Sequence, residues 1–250
     1  GDIATRKDAH LALRRPRAGI EMRSGRRDRD PGNTFDLLLD ENERRGLVGR
    51  FFFIAGHTAG ETDGVYQIDD PWILKLMRTI HARGHEIGLH PSYGTYRDPG
   101  ATRTEFDRLR AAADRAGVVQ SRWGGRQHFL RWSNPETWQN WEDAGLDYDS
   151  TVGFAEQPGF RCGTCRSFPV FNLRSRRRLR LQEEPLALMD ATLLTYQRLG
   201  VEQSLGAAEA LIDTVRRHRG QLVILWHNTY VMSTSHRTLY RLLLERVTAP

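Results

Sequence analysis

The sequence predicts an α/β fold built on a parallel sheet, either doubly wound or closed as a barrel. Three observations carry that prediction. From residue 33 onward, segments with a helical period alternate with short apolar segments. One late segment, "QLVILWH" at 221–227, is apolar almost throughout, as a parallel strand covered on both faces should be. The chemically loaded residues His90, His128, Asp149, Asp190 and His227 all fall at the expected C-terminal ends of strands, where a barrel places its functional side chains.

The elements follow in order. Residues 1–32 are polar, arginine-rich and without a clear period, which reads as a basic lead-in segment. "NTFDLLLDENERRG" predicts a helix capped by Asn33, with Phe35, Leu38 and Leu39 on its apolar face and Gly46 at its end. "VGRFFFIAG" is a buried strand. "DPWILKLMRTIHARG" is a helix with Asp70 as cap, Pro71 at its first position and Gly84 at its stop. "HEIGLH" is a short strand and "RTEFDRLRAAADRAG" a helix. "SRWGGRQHF" is a strand or its exit, followed by "NPETWQNWEDAG", a helix capped by Asn134 and led by Pro135. "LDYDS" is the next strand, and a Gly/Pro/Cys loop leads to "FPVFNL". The arginine-rich stretch at 173–182 alternates with apolar residues and reads as an edge strand kept soluble by charge. "PLALMD", a helix over about 202–219, the strand "QLVILWH" and the helix "HRTLYRLLLERV" complete the chain.

With 250 residues, 39% of them apolar, the chain suits one large domain over 33–250 behind the lead-in. No apolar run approaches the length of a membrane span. The formal net charge of +6 comes mainly from the lead-in and from 173–182. Without a nucleic-acid fold signature it reads as solvated charge. Two cysteines, Cys162 and Cys165, exclude a disulfide framework, and no second CxxC completes a structural zinc site. Absence of a visible export signal and two reduced thiols point to the cytoplasm.

"GHEIGLHPSY" at 84–93 raises the question of a metal. A zinc protease helix needs H-E-x-x-H, whereas the spacing here is one residue longer and broken by Gly88. On a strand, His85, Ile87 and Leu89 share one face, while Glu86, Gly88 and His90 share the other. His85 and His90 therefore cannot chelate one ion. His85 reads as a core histidine and His90, before a proline turn, as a ligand candidate. Arg126 and His128 share a face after two glycines, Asp149 ends a strand, and His227 ends a buried one where it can exchange protons. Asp190 has the same placement without further support, and His57, on a loop, is weaker still.

Together, "RGHEIGLHPSY", "RQHFLRW", "YDSTVGF" and "LVILWHN" resemble the polysaccharide deacetylase family (carbohydrate esterase family 4), in particular a bacterial subgroup with proline after the metal-binding histidine. "GFRCGTCRSFPVFNL" and "NTFDLLLDENERRGLVGRFFFI" resemble that subgroup too. The resemblance implies a distorted parallel (β/α) barrel, a divalent metal, usually zinc, and hydrolysis of N-acetyl or O-acetyl groups on a polysaccharide, oligosaccharide or glycolipid sugar. It implies His90 as a metal ligand, Arg126 paired with Asp149 beside the catalytic centre, and His227 as the acid that protonates the leaving amine. Tyr93, Phe129 and Trp226 are candidates for stacking on sugars. Two departures matter. The family's second ligand histidine falls at Gly94, so His128 is the candidate replacement. No strand carrying the family's acidic pair precedes Asn33, so that first strand is expected upstream of Gly1. The alternatives are a non-catalytic glycan-binding relative, and a metallopeptidase or small-amide hydrolase.

Overall fold

The computed structural model describes residues 30 and 32–249, so the basic lead-in expected over 1–32 lies almost wholly outside the described residues. Among the described residues the α-helices are α1 Phe35–Glu43, α2 Pro71–Ala82, α3 Pro99–Ala116, α4 Glu136–Ala144, α5 Val201–His218 and α6 Thr234–Thr248. The strands are β1 Arg50–Phe53, β2 Glu86–Leu89, β3 Gly124–Gly125, β4 Tyr148–Asp149, β5 Phe168–Asn172, β6 Arg177–Glu183, β7 Leu186–Met189 and β8 Val223–Leu225. One sheet has the order β1-β2-β3-β4-β6-β5, and β7 pairs with β8 in a second. All pairings are parallel except that of β5 with β6. The α/β class with a parallel sheet is as the sequence predicts, and among the described residues no hydrogen-bonded pairing joins the two sheets into a closed ring.

Local chemistry explains most boundaries. Asp70 accepts a hydrogen bond from the Trp72 N–H at 2.9 Å and Pro71 opens α2. The same Asp-Pro device starts α3 four residues before the predicted point, with Asp98 accepting from the Ala101 N–H at 2.9 Å. Two expected caps are corrected. Thr34, not Asn33, flanks α1, and its hydroxyl donates across the chain to the Asn228 carbonyl at 2.7 Å. Asn134 does not cap α4; it forms a cis peptide with Pro135, which itself holds the cap position.

The predicted strand at 121–129 shrinks to two glycines. A Cβ on Gly125 would lie 1.8 Å from the Leu89 carbonyl oxygen, and one on Gly124 would lie 2.4 Å from that of Tyr148. Only bare backbone fits between β2 and β4. The arginine-rich strand begins at Arg177, because 173–176 form the turn of a β5–β6 hairpin.

Among the described residues, two clusters make up most of the core. Leu39, Ile80, Ile87, Leu89, Leu109, Trp141 and Leu181 are fully buried between the first sheet and helices α1 to α4. Leu188, Leu193, Ala208, Ile212 and Leu243 fill the space around β7, α5 and α6. Each large side chain so buried contributes about 1.5–3 kcal/mol. The Tyr148 ring is held between the guanidinium groups of Arg50 and Arg122, each 4.5 Å from its centroid, and the buried Glu184 pairs with both.

Candidate active site

The parallel order sets the C-terminal ends of β2, β3 and β4 side by side, and in the second sheet those of β7 and β8, which lead to Asp190 and His227, side by side as well. His90 leaves β2, and its Nδ1 lies 2.6 Å from the Arg126 carbonyl oxygen. A carbonyl only accepts, so Nδ1 carries the proton and Nε2 keeps its lone pair. His128 stands in a short turn after β3, its ring centroid 4.8 Å from that of His90. Its Nδ1 lies 3.0 Å from Asp63 Oδ1, again leaving Nε2 as the open donor. Desolvation pushes the His90 imidazole down to about 3, helped by the His128 charge. Desolvation also lowers His128, against the pull of Asp63. Both rings are therefore neutral at physiological pH, the form in which imidazole binds metals.

Asp63 is the residue that sequence reasoning missed. It is fully buried, in the loop after β1. Oδ2 accepts from the N–H groups of Thr58 at 2.9 Å and Ala59 at 2.7 Å, and Oδ1 accepts from the Tyr93 N–H at 2.7 Å as well as from His128. Burial alone would raise its pKa, but the hydrogen bonds outweigh burial and hold it below the ordinary carboxylate value. One carboxylate thus ties the β1 loop, the turn after His90 and the His128 ring together. The signal was an aspartate at a strand exit in "HTAGETDG", indistinguishable in sequence from a solvated loop acid.

His227 follows β8. Its Nδ1 lies 2.7 Å from Asp190 Oδ1, and its backbone N–H donates to Oδ2 of the same carboxylate. Asp190 is fully buried, while the His227 side chain is 45% exposed. That is a buried acceptor aiming an accessible imidazole, the geometry of a general acid or base. The His227 charge also lowers the pKa of both His90 and His128, which places the three imidazoles within one electrostatic field.

Arg126, Asp149 and Glu183 are all buried. Arg126 donates from Nε to the Ser150 carbonyl at 2.7 Å and from Nη2 to the Ser150 hydroxyl at 2.8 Å. The direct Arg126–Asp149 pair implied by the resemblance is not formed among the described residues. The two act on each other through space, and burial leaves the guanidinium at about 10. Asp149 accepts the Thr151 hydroxyl on Oδ1, while Oδ2 has no partner among the described residues. Burial lifts its carboxyl to about 7, and burial with the Asp149 charge raises Glu183 as well.

Of the aromatic candidates, Tyr93 and Phe129 meet edge to face at 5.5 Å beside His128, and Phe129 is 58% exposed. Phe129 and Leu130 have φ of 57° and 51°, a left-handed backbone that costs about 1–3 kcal/mol per residue and is common at functional sites. The Arg131 guanidinium lies 3.9 Å from the Tyr93 ring centroid and 4.0 Å from that of Tyr96, bracing this rim. Trp226 lies elsewhere: it packs against Tyr240 at 5.0 Å, in the apolar cluster with Leu38 and Val231. His85 is buried and accepts the Gly49 N–H at 2.8 Å; the exposed His57 bonds the Tyr66 carbonyl. At Gly94, a Cβ would come within 2.9 Å of Thr58 Oγ1, so close packing of two loops accounts for the glycine.

The donor set fits half of a tetrahedral divalent site. His90 and His128 offer two neutral nitrogens with fixed tautomers, as zinc requires. Asp63 has all its lone-pair directions taken and holds His128 rather than an ion. Among the described residues no group of three His, Cys, Asp or Glu side chains is placed to hold a metal.

No protein-family model matches the chain, and no curated protein matches it. Solved structures do. A protein assigned as a polysaccharide deacetylase from Mycobacterium smegmatis superposes with a TM-score of 0.66 at 18% identity, over 97% of this chain and 81% of that one. A PuuE allantoinase gives 0.58 at 12% identity, over 83% of this chain and 64% of the other. A protein assigned as a polysaccharide deacetylase from Pseudomonas aeruginosa PAO1 gives 0.54 at 14% identity, with the same coverages. The chain has the α/β fold of the polysaccharide deacetylase type.

Proposed function

We propose that this chain is a metal-dependent hydrolase that removes acetyl groups from a carbohydrate. The observation that carries the reading is the His90–His128 pair, ring centroids 4.8 Å apart and both within reach of the His227 charge, each of the three with Nδ1 tied to an acceptor and Nε2 free of protein partners among the described residues. His90 and His128 would hold a divalent ion, most reasonably zinc given two imidazole donors. Such an ion, when bound, supplies Lewis-acid polarisation of the acetyl carbonyl. The rest falls to the chain. In amide hydrolysis the oxygen of water bonds to the acetyl carbon and the C–N bond breaks. The leaving nitrogen needs a proton, which His227 delivers from Nε2 while Asp190 holds the imidazolium. Tyr93 and the exposed Phe129 give a sugar ring a flat apolar face beside His128.

The test is acetate release from N-acetylated and O-acetylated oligosaccharides with zinc supplied. His227→Ala should lower turnover about 10²–10⁴-fold, while the chain stays folded with a stability loss of about 1–3 kcal/mol from the donor taken from buried Asp190. Acetate release unchanged by that substitution removes the reading. A second reading, a glycan-binding relative without turnover, has one observation in its favour: the two-donor half-site lacks a third protein ligand among the described residues. Sugar binding without acetate release, with zinc present, would select it. Hydrolysis of allantoin in place of acetyl groups would move the reading towards a small-amide hydrolase, in line with the name of the allantoinase neighbour.

A further inference from the structure

The β5–β6 hairpin is the outer edge of the first sheet. Its inward face is an ordinary core face, with Val170, Leu179 and Leu181 buried. Its outward face and tip are not ordinary. Phe171 is 47% exposed, and Leu173, at the turn, is 64% exposed. Arg178 stands directly across the strand pair from Phe171, and Arg177 across from Asn172. Arg176 occupies the turn with φ of 54°. Two neighbouring arginines are neutralised, Arg174 by Glu136 at 2.6 Å and Arg180 by Glu142 at 3.4 Å. Arg176, Arg177 and Arg178 are exposed and have no acidic partner among the described residues.

Charge at a sheet edge has a familiar purpose, to prevent edge-to-edge association. That purpose explains the arginines but not Phe171 and Leu173, which work against it. Exposed apolar side chains with unpaired guanidiniums beside them, Arg178 across from Phe171 and Arg176 and Arg177 at the tip, match a different partner. Guanidinium forks pair with phosphate oxygens, and apolar side chains beside them enter the boundary between headgroups and acyl chains. A nucleic acid offers the phosphates too, but a duplex must be unstacked before it can take the leucine at the tip, a cost that the boundary of a bilayer does not impose. We infer that the β5–β6 hairpin is a docking surface for membranes rich in anionic phospholipid. The inference does not depend on any catalytic activity.

The full-length chain is sedimented with vesicles of phosphatidylglycerol and phosphatidylcholine in equal parts, and separately with phosphatidylcholine alone, over a series of salt concentrations. Binding to the anionic vesicles only, weakening as salt rises, is expected. Combined Arg176→Glu, Arg177→Glu and Arg178→Glu substitution should lower partitioning at least about tenfold, since each basic residue near an anionic surface adds measurably to attraction. Phe171→Ser with Leu173→Ser should weaken the binding that persists at high salt. Arg217→Glu, on the exposed side of α5, serves as a control and should change little. Circular dichroism checks that the variants fold, and the salt series on the unaltered chain stands without them. Absence of binding to anionic vesicles at low salt overturns the inference. So does binding unaffected by the triple charge reversal, or tighter binding to a DNA duplex than to the vesicles.

Discussion

Asp63→Asn keeps the shape of the side chain but removes one acceptor oxygen and the negative charge. The carboxylate serves four donors, two on each oxygen. An amide can serve only the pair that faces its carbonyl. If that is Thr58 and Ala59, the amide NH₂ confronts the Tyr93 N–H and His128 Nδ1. His128 then accepts at Nδ1 and carries its proton on Nε2, the atom proposed to bind the ion. One buried donor, the Tyr93 N–H, then loses its acceptor, at about 1–3 kcal/mol. Against a domain stability of about 5–15 kcal/mol the variant still folds, with a melting temperature lower by roughly 2–12 °C. Loss of such a partner to a ligand histidine typically costs about 10–100-fold in metal affinity. The sign with pH is fixed by the direction of the shift. A carboxyl held below its ordinary value contributes stability above about pH 4 that is lost as pH falls through the folded value. The deficit of the variant should therefore be largest near neutrality and shrink in acid. Thermal unfolding at several pH values, zinc titration against a competing chelator, and ¹⁵N chemical shifts of the His128 ring make the assay. A variant as stable as the unaltered chain, with the proton still on Nδ1 and zinc affinity within twofold, would refute the reasoning.

Other expectations follow from the same geometry. His90→Ala or His128→Ala should each abolish stoichiometric zinc retention in equilibrium dialysis, whereas His85→Ala should lower stability without touching zinc, since His85 bonds only structural partners. Burial drives the His90 imidazole down to about 3, so the fold loses stability as pH falls from about 6.5 towards 3; His90→Gln should flatten that limb of the thermal-shift profile, and an unchanged profile would count against the assignment. Asp149 is raised to about 7, so its contribution is fully present below about pH 4 and is lost as pH rises through 7. Asp149→Asn should accordingly compare better with the unaltered chain at pH 8 than at pH 5 in unfolding experiments. Gly125→Ala should yield no folded protein, its Cβ meeting the Leu89 carbonyl, whereas Gly206→Ala, in the open interior of α5, should stabilise by about 0.5–1 kcal/mol in urea unfolding.

The periodic pattern fixed what depends on local chemistry. Asp70-Pro71 announces α2 because a cap and a proline act within one turn, and "QLVILWH" announces a buried parallel strand because burial on both faces leaves no room for polar alternation. What stayed hidden depends on contacts distant in the chain. Thr34 displaced Asn33 at the start of α1 because its hydroxyl reaches Asn228, nearly the whole chain away. The strand predicted around Gly124 collapsed to two residues because its neighbours press on it from both sides. In the site, His90, His128 and His227 were legible as strand-end histidines. Asp63 was not, because a loop aspartate reveals its role only through the four donors that surround it. Asp190 was recognised by position alone, and its bond to His227 spans 37 residues. Trp226 stood next to His227 in sequence yet points into the apolar cluster with Tyr240, as alternation along a strand requires.

The glycine pair between β2 and β4 has a consequence for how such a protein can change. Because no side chain can be inserted there, the gauge between the strand that delivers His90 and the strand that delivers Asp149 is set by main-chain atoms alone. Selection, or a protein engineer, can swap what decorates the rim, at Phe129 and Tyr93, without shifting that gauge. New ligand preferences in this scaffold are therefore expected to arise by redecorating loops, with the spacing beneath them inherited intact.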